Sequence, residues 1–155
     1  MKLIYLKVAG DGNCFYHSLF TLINDRFSDM SSEEKNNYIS CVKDILASQF
    51  NVEYYSLHLG HLDKSYEELH KEIRQNVGYT SHYIIPAIME SFTYNLIIID
   101  GNNREIPDVM KHNMKNEYIY MRYANGHYDP LAVFIDGKIQ KIFKDKLNLN
   151  LFSFD

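Results

Sequence analysis

Two stretches of the sequence hold side chains that could do chemistry together. Cys14 follows Asp11-Gly12-Asn13, and much later His127 and Asp129 follow Asn125-Gly126. Thiol catalysis needs a thiolate, a base to form it, a group to orient the base, and donors for a developing oxyanion. Each need has a candidate here. Cys14 stands where a loop enters a helix, and the unpaired N–H groups and dipole of a helix start favour negative charge. Such a position can lower a thiol pKa from ~8.5 into the range ~3.5–7.5. The same N–H groups can hold an oxyanion, and Gly12 permits the tight backbone they require. Along a strand, residues i and i+2 point to one side, so the Asp129 carboxylate is expected beside the His127 ring. There it would fix the imidazole tautomer, as the orienting member of a triad does.

Taken one at a time, these residues also have ordinary roles. A lone cysteine at a helix start is commonly a small buried hydrophobe, a histidine beside a hairpin turn is commonly exposed, and an aspartate there is commonly a turn former. Position and residue type leave both readings open. His58 and His61, near Asp63, have the i, i+3 spacing of a metal site but lack a further ligand at a convincing distance. Surface residues are expected there, with no metal or other cofactor. His17 is expected to pack behind the Cys14 helix. Tyr54, Tyr55 and Tyr66 fit a partner surface or the core equally well.

The elements that must position Cys14, His127 and Asp129 are legible from local pattern. Leu3–Val8 predicts a short strand running into Ala9-Gly10-Asp11-Gly12. Phe15, Leu19, Phe20, Ile23 and Phe27 have helical spacing and place Cys14 in the first turn. Ser31 with Glu34, and Ser65 with Glu68, are capping-box signals for two further helices. The first would bury Tyr38, Val42, Ile45, Leu46 and Phe50, with Cys41 beside that face, and the second Tyr66, Leu69 and Ile73. Pro86 suits a helix start, followed by a short helix through Ala87–Phe92. Leu96–Ile99 predicts a strand buried on both faces, ended by Asp100-Gly101-Asn102-Asn103. Glu117–Tyr123 and His127–Ile135 predict a hairpin around Asn125-Gly126, and Asp136-Gly137 a second one into Lys138–Phe143. Helices early and strands late predict an α+β domain, with helices packed on a mainly antiparallel sheet.

Composition narrows the function classes. The chain has 155 residues, 46% of them hydrophobic and 23% charged, within the usual range for one folded domain. A net charge of −4 without a Lys/Arg run argues against a nucleic-acid partner, whose phosphates demand a basic face. No apolar run approaches the ~18 residues of a membrane span, and the N-terminus turns polar too soon for a signal peptide. A cytosolic monomer is expected, with Cys14 and Cys41 reduced.

The segment Gly10-Asp11-Gly12-Asn13-Cys14-Phe15-Tyr16-His17-Ser18 resembles the catalytic cysteine motif of the ovarian tumour (OTU) family of cysteine-protease deubiquitinases, and Gly126-His127-Tyr128-Asp129 resembles its His-x-Asp motif. Between them, Tyr79–Asp100 resembles the middle block of the family, a small helix with Ala87 and an apolar strand ending in Asp100. The block departs from the Trp-Gly-Gly and Glu of many members, with Tyr79-Thr80-Ser81 and Ile84 in their place. The resemblance covers roughly residues 3–30, 79–100 and 117–135. It implies a papain-like OTU fold, with helices around a small mainly antiparallel or mixed sheet. It implies Cys14 as nucleophile, His127 as general base, Asp129 as its orienter and Asp11 as support of the oxyanion loop, with Gly12, Asn13 and Tyr128 as candidate substrate contacts. The implied reaction is hydrolysis of the isopeptide bond after the ubiquitin C-terminal glycine, with ubiquitin or polyubiquitin chains as partner. The same residues also serve other thiol reactions, including deamidation, transamidation and removal of a ubiquitin-like modifier. A non-catalytic ubiquitin-binding module is the alternative of a different class.

Overall fold

The structure, a computed structural model, describes residues 1–75, 80–107 and 115–154. Strand β1 (Lys2–Tyr5) runs into the loop before helix α1 (Cys14–Ile23). Helix α2 (Ser32–Gln49), the short turn α3 (Val52–Tyr54), α4 (Tyr66–Arg74) and α5 (Ile85–Met89) follow. Then come β2 (Tyr94–Ile99), β3 (Glu117–Ala124), β4 (His127–Ile135), β5 (Lys138–Gln140) and β6 (Ser153–Phe154). The fold is α+β, as the order of elements predicts.

Local chemistry explains most of these boundaries. Ser31 accepts the Glu34 N–H and Glu34 accepts the Ser31 N–H in return, and Ser65 and Glu68 repeat the arrangement. Both capping boxes satisfy orphan donors of the first turn. Asn125 and Gly126 have φ of 54° and 74°, the left-handed pair that a two-residue hairpin with the right twist demands. Asp136 and Gly137 do the same at 52° and 77°.

Among the described residues the sheet has six strands in the order β2-β3-β4-β1-β6, with β5 on β4. It is mixed: β2 runs parallel to β3 and β6 parallel to β1, while β3, β4, β1 and β5 pair antiparallel. Alternation along β2 sends Leu96 and Ile98 into the core under the helices, and Ile97 and Ile99 into a second cluster on the opposite face. That second cluster includes Leu3, Tyr120, Leu131 and Val133, and it is covered by Phe143, Leu147, Leu149 and Phe152. The Tyr120 hydroxyl accepts the Leu147 N–H at 2.7 Å and ties this segment down. Both faces of β2 are therefore buried, as its continuous apolar run requires.

Two expectations need correction. Ile45 is 54% exposed, and the buried stripe of α2 is Ile39, Lys43, Leu46 and Ala47. The helix is rotated because the space beneath it accommodates a lysine stem. The last hairpin is also shorter than predicted, since after β5 only Phe143 returns, bridging to Tyr118. The chain then leaves the edge to cover the second face.

Candidate active site

The edge of β4 decides how the site is assembled. β1 pairs with β4 only from Leu131 onward, and the Leu6 N–H to the Pro130 carbonyl at 2.8 Å is the last bond along that edge. The β4 backbone at His127–Asp129 is left without a strand neighbour on that side, and α1 occupies it. The Tyr128 N–H donates to Cys14 Sγ at 3.5 Å, and the Ser18 hydroxyl donates to the Tyr128 carbonyl at 3.0 Å. Cys14 and Ser18 lie one turn apart on one helix face, so both can reach the same residue. The thiol is thereby fastened to the strand that carries His127 and Asp129.

His127 Nε2 lies 3.0 Å from Asp129 Oδ1. A carboxylate can only accept, so Nε2 carries a proton, which in the neutral ring leaves the lone pair on Nδ1. The Nδ1–Cε1 edge faces Gly10, where an added Cβ would stand 3.9 Å from both atoms. Gly10 lies in the loop that leads to Cys14, so the Nδ1 edge of the ring lies against that loop while Asp129 holds Nε2.

In the loop itself, Gly12 has φ 86°, a left-handed turn that other residues rarely adopt. Asp11 Oδ1 accepts the Asn13 N–H at 3.1 Å, and Asp11 Oδ2 takes a bond from His17 Nε2 at 3.3 Å. Asp11 thus braces the loop, and His17, packed against the Phe27 ring, braces Asp11. The packing of His17 is as expected, while its bond to Asp11 is additional.

The thiol's electrostatics run against the sequence expectation. Cys14 is only 3% exposed, and burial pushes its pKa above the ordinary thiol value. The N–H groups of Tyr128, Phe15 and Cys14 oppose that shift, whereas the Asp11 charge adds to it. Desolvation outweighs the helix start, so burial favours the protonated thiol over the thiolate. Cys41 is exposed and serves as an internal reference. In a His127→Ala variant, iodoacetamide labelling of Cys14 at pH 7 is expected to be slower than that of Cys41 and to keep rising toward higher pH. Equal rates for the two cysteines, followed by peptide mass spectrometry, would contradict the burial effect.

Two of the candidate substrate contacts are also corrected. Tyr128 is fully buried, its hydroxyl donating to the Thr80 carbonyl at 2.9 Å, so its ring is part of the core and only its backbone meets the site. The Asn13 side chain points inward to Lys43. Tyr79 lies outside the described residues. Among the described residues there is no group of three or more His, Cys, Asp or Glu side chains able to hold a metal ion, and the His58 ring packs on Tyr54.

Neither the scan of protein-family models nor the search of curated proteins returns a match. Solved structures do match. One is an OTU domain in complex with ubiquitin, 14% identical, with a TM-score of 0.66 over 94% of this chain and 77% of that one. The viral OTU domain protease of Dera Ghazi Khan virus is 17% identical, with a TM-score of 0.54 over 90% of this chain and 82% of its own. The Hazara virus OTU bound to ubiquitin is 17% identical, with a TM-score of 0.53 over 86% and 82%. The chain has the OTU fold.

At such identities the OTU fold is carried here by pattern rather than by residues. The two-faced β2, the hairpin at Asn125-Gly126 and the helix docked on the open edge of β4 are the features that build it. Sequence reasoning missed Ser18 and Lys43, which this OTU fold uses to hold the site together. Signals for both were present. Ser18 is one turn from Cys14, and Lys43 interrupts an apolar stripe between Ile39 and Leu46.

Proposed function

We propose that this OTU-fold chain is a deubiquitinating cysteine protease. The observation that carries the proposal is the bond from the Tyr128 N–H to Cys14 Sγ, made one residue from a His127 that is itself held by Asp129. A buried cysteine with no chemical role has no need of a polarised imidazole on the adjoining strand. Several solved OTU domains of the same fold are bound to ubiquitin, which supports ubiquitin as the substrate.

In the proposed cycle, Cys14 Sγ gives its proton to His127 Nδ1 and attacks the carbonyl carbon of the ubiquitin C-terminal glycine. The oxyanion that forms is met by the Cys14 N–H at the helix start, while the Asn13 N–H is already taken by Asp11. His127 then protonates the lysine amine as the C–N bond breaks, leaving a thioester on Cys14. Water, deprotonated by the same imidazole, releases ubiquitin and restores the thiol. Asp129 keeps Nε2 protonated throughout, so Nδ1 is always the nitrogen that works. A reducing cytosol is the proposed setting, which leaves both cysteines as free thiols.

Ubiquitin carrying a C-terminal electrophile tests the proposal. A single covalent adduct at Cys14, with cleavage of diubiquitin, is the expected result. Reversible binding without an adduct would mark a binding module instead, and absence of any binding would point to another thiol reaction.

A further inference from the structure

Helix α1 begins differently from the two helices that follow it in capping boxes. Ser31 and Ser65 have the extended backbone of ordinary cap residues, ψ 165° and 163°, and their hydroxyls accept first-turn N–H groups. Asn13, whose side chain is equally able to cap, has φ −104° and ψ 18° and makes no such bond. Its Oδ1 accepts instead from Lys43 Nζ at 2.5 Å. Lys43 Nζ also donates to the Gln75 carbonyl at 2.5 Å and lies 4.9 Å from the centre of the Tyr16 ring. The residue is 3% exposed, and no carboxylate forms an ion pair with it among the described residues. A lysine buried on carbonyl oxygens and a ring is an expensive way to fill a core, and a methionine of similar volume would pack there without desolvating a charge.

The ψ of Asn13 sets the direction of the next N–H, which belongs to Cys14. If Asn13 took the extended backbone of a cap, the Asn13–Cys14 peptide would turn most of the way over. The Cys14 N–H would then leave the oxyanion position.

We propose that Lys43 is a positioning residue that holds the Asn13 side chain away from α1, so that the helix cannot cap itself and the Cys14 N–H stays aimed at the oxyanion. This rests on the proposed thiol reaction. Burial pulls the Lys43 pKa down to about 8 while the Asp11 charge resists, so the ammonium persists at neutral pH. The bond that Asp11 Oδ1 accepts from the Asn13 N–H holds the same residue from the other side.

The test uses Lys43→Met, Asn13→Ser and Asn13→Ala in the full chain, with a fluorogenic ubiquitin substrate and amide hydrogen exchange. Lys43→Met is expected to lower kcat on the order of 10–10²-fold, with KM within about threefold, since an oxyanion donor acts in the transition state. The double variant Lys43→Met/Asn13→Ala cannot cap and should recover much of that kcat. Lys43→Arg, which keeps the donors, should stay closer to wild type than Lys43→Met. Asn13→Ser, too short for Lys43 but a good cap, should turn over more slowly than Asn13→Ala, a comparison that holds even if Lys43→Met fails to fold. Exchange at the Phe15 and Tyr16 amides should slow roughly fivefold in Lys43→Met or Asn13→Ser, as a new cap forms. Unchanged exchange in both variants would overturn the inference whether or not the wild type cleaves ubiquitin. Changed exchange with wild-type kcat would equally overturn it. A wild type inert toward ubiquitin would sink the proposed function, and the exchange measurement would still decide the role of Lys43.

Discussion

Cys14→Ala is expected to remain folded and to lose turnover of ubiquitin substrates by at least about 10⁴, down to background. The substitution removes one sulfur from a buried site, and its packing cost should stay on the order of 1 kcal/mol. The bond from Ser18 to the Tyr128 carbonyl remains and keeps α1 on the β4 edge. What vanishes is the atom that forms the thioester in the proposed cycle. Cys41 is the matched control, exposed on α2. Cys41→Ala should cleave diubiquitin and capture the electrophilic probe like wild type. A Cys14→Ala protein that still cleaves, with an unchanged thermal transition, would require a different nucleophile.

Asp129→Ala should slow steady-state turnover on the order of 10–10³-fold without unfolding the protein. The carboxylate accepts from His127 Nε2 at 3.0 Å and fixes which nitrogen is basic. Without it the ring can carry its proton on Nδ1, the nitrogen that receives the thiol proton in the proposed cycle, or turn to another rotamer. A serine protease whose orienting aspartate becomes asparagine loses ~10⁴ in turnover, but a thiol is more acidic and more nucleophilic than a hydroxyl, so the dependence should be weaker here. Asp129→Asn, whose amide NH₂ can donate to Nε2 and hold the proton on Nδ1, should turn over no faster than the alanine variant. Probe labelling of Asp129→Ala should be slowed but measurable. Full turnover in the alanine variant would mean that another group orients His127, and the triad would have to be redrawn.

How much of this was legible in the sequence depends on how local the cause is. Ser31 with Glu34, Ser65 with Glu68, and the glycines at 126 and 137 act within four residues, so their capping boxes and hairpin turns could be read from spacing alone. The closeness of His127 and Asp129 follows from strand alternation and is of the same kind. The orientation of α2 is not local. An apolar count favours Ile45 as buried, yet the helix turns Lys43 inward because Asn13, Gln75 and Tyr16 offer it acceptors and a ring from other parts of the chain. The raised thiol pKa is likewise a tertiary effect. The helix start is visible in the sequence, but the burial that outweighs it comes from packing between distant parts of the chain. Tyr128 is a candidate substrate contact through the motif resemblance, but alternation turns its ring away from His127 and Asp129, into the core.

The pairing of β1 bears on when the site comes into being. Leu3, made long before β4, is in register with Val133 on that strand, and α1 docks on the same strand through Ser18. Contacts so distant along the chain are entropically costly to close and form late in folding. While a ribosome is still extending the chain toward β4, α1 has no edge to settle on, and Cys14 has neither the Tyr128 N–H nor His127 beside it. A nascent chain therefore carries Cys14 without its β4 contacts, and the proposed site is assembled only when β4 takes its place between β1 and β3. Until then, the apolar face of α1 and the unpaired β1 are surfaces for a chaperone to shield.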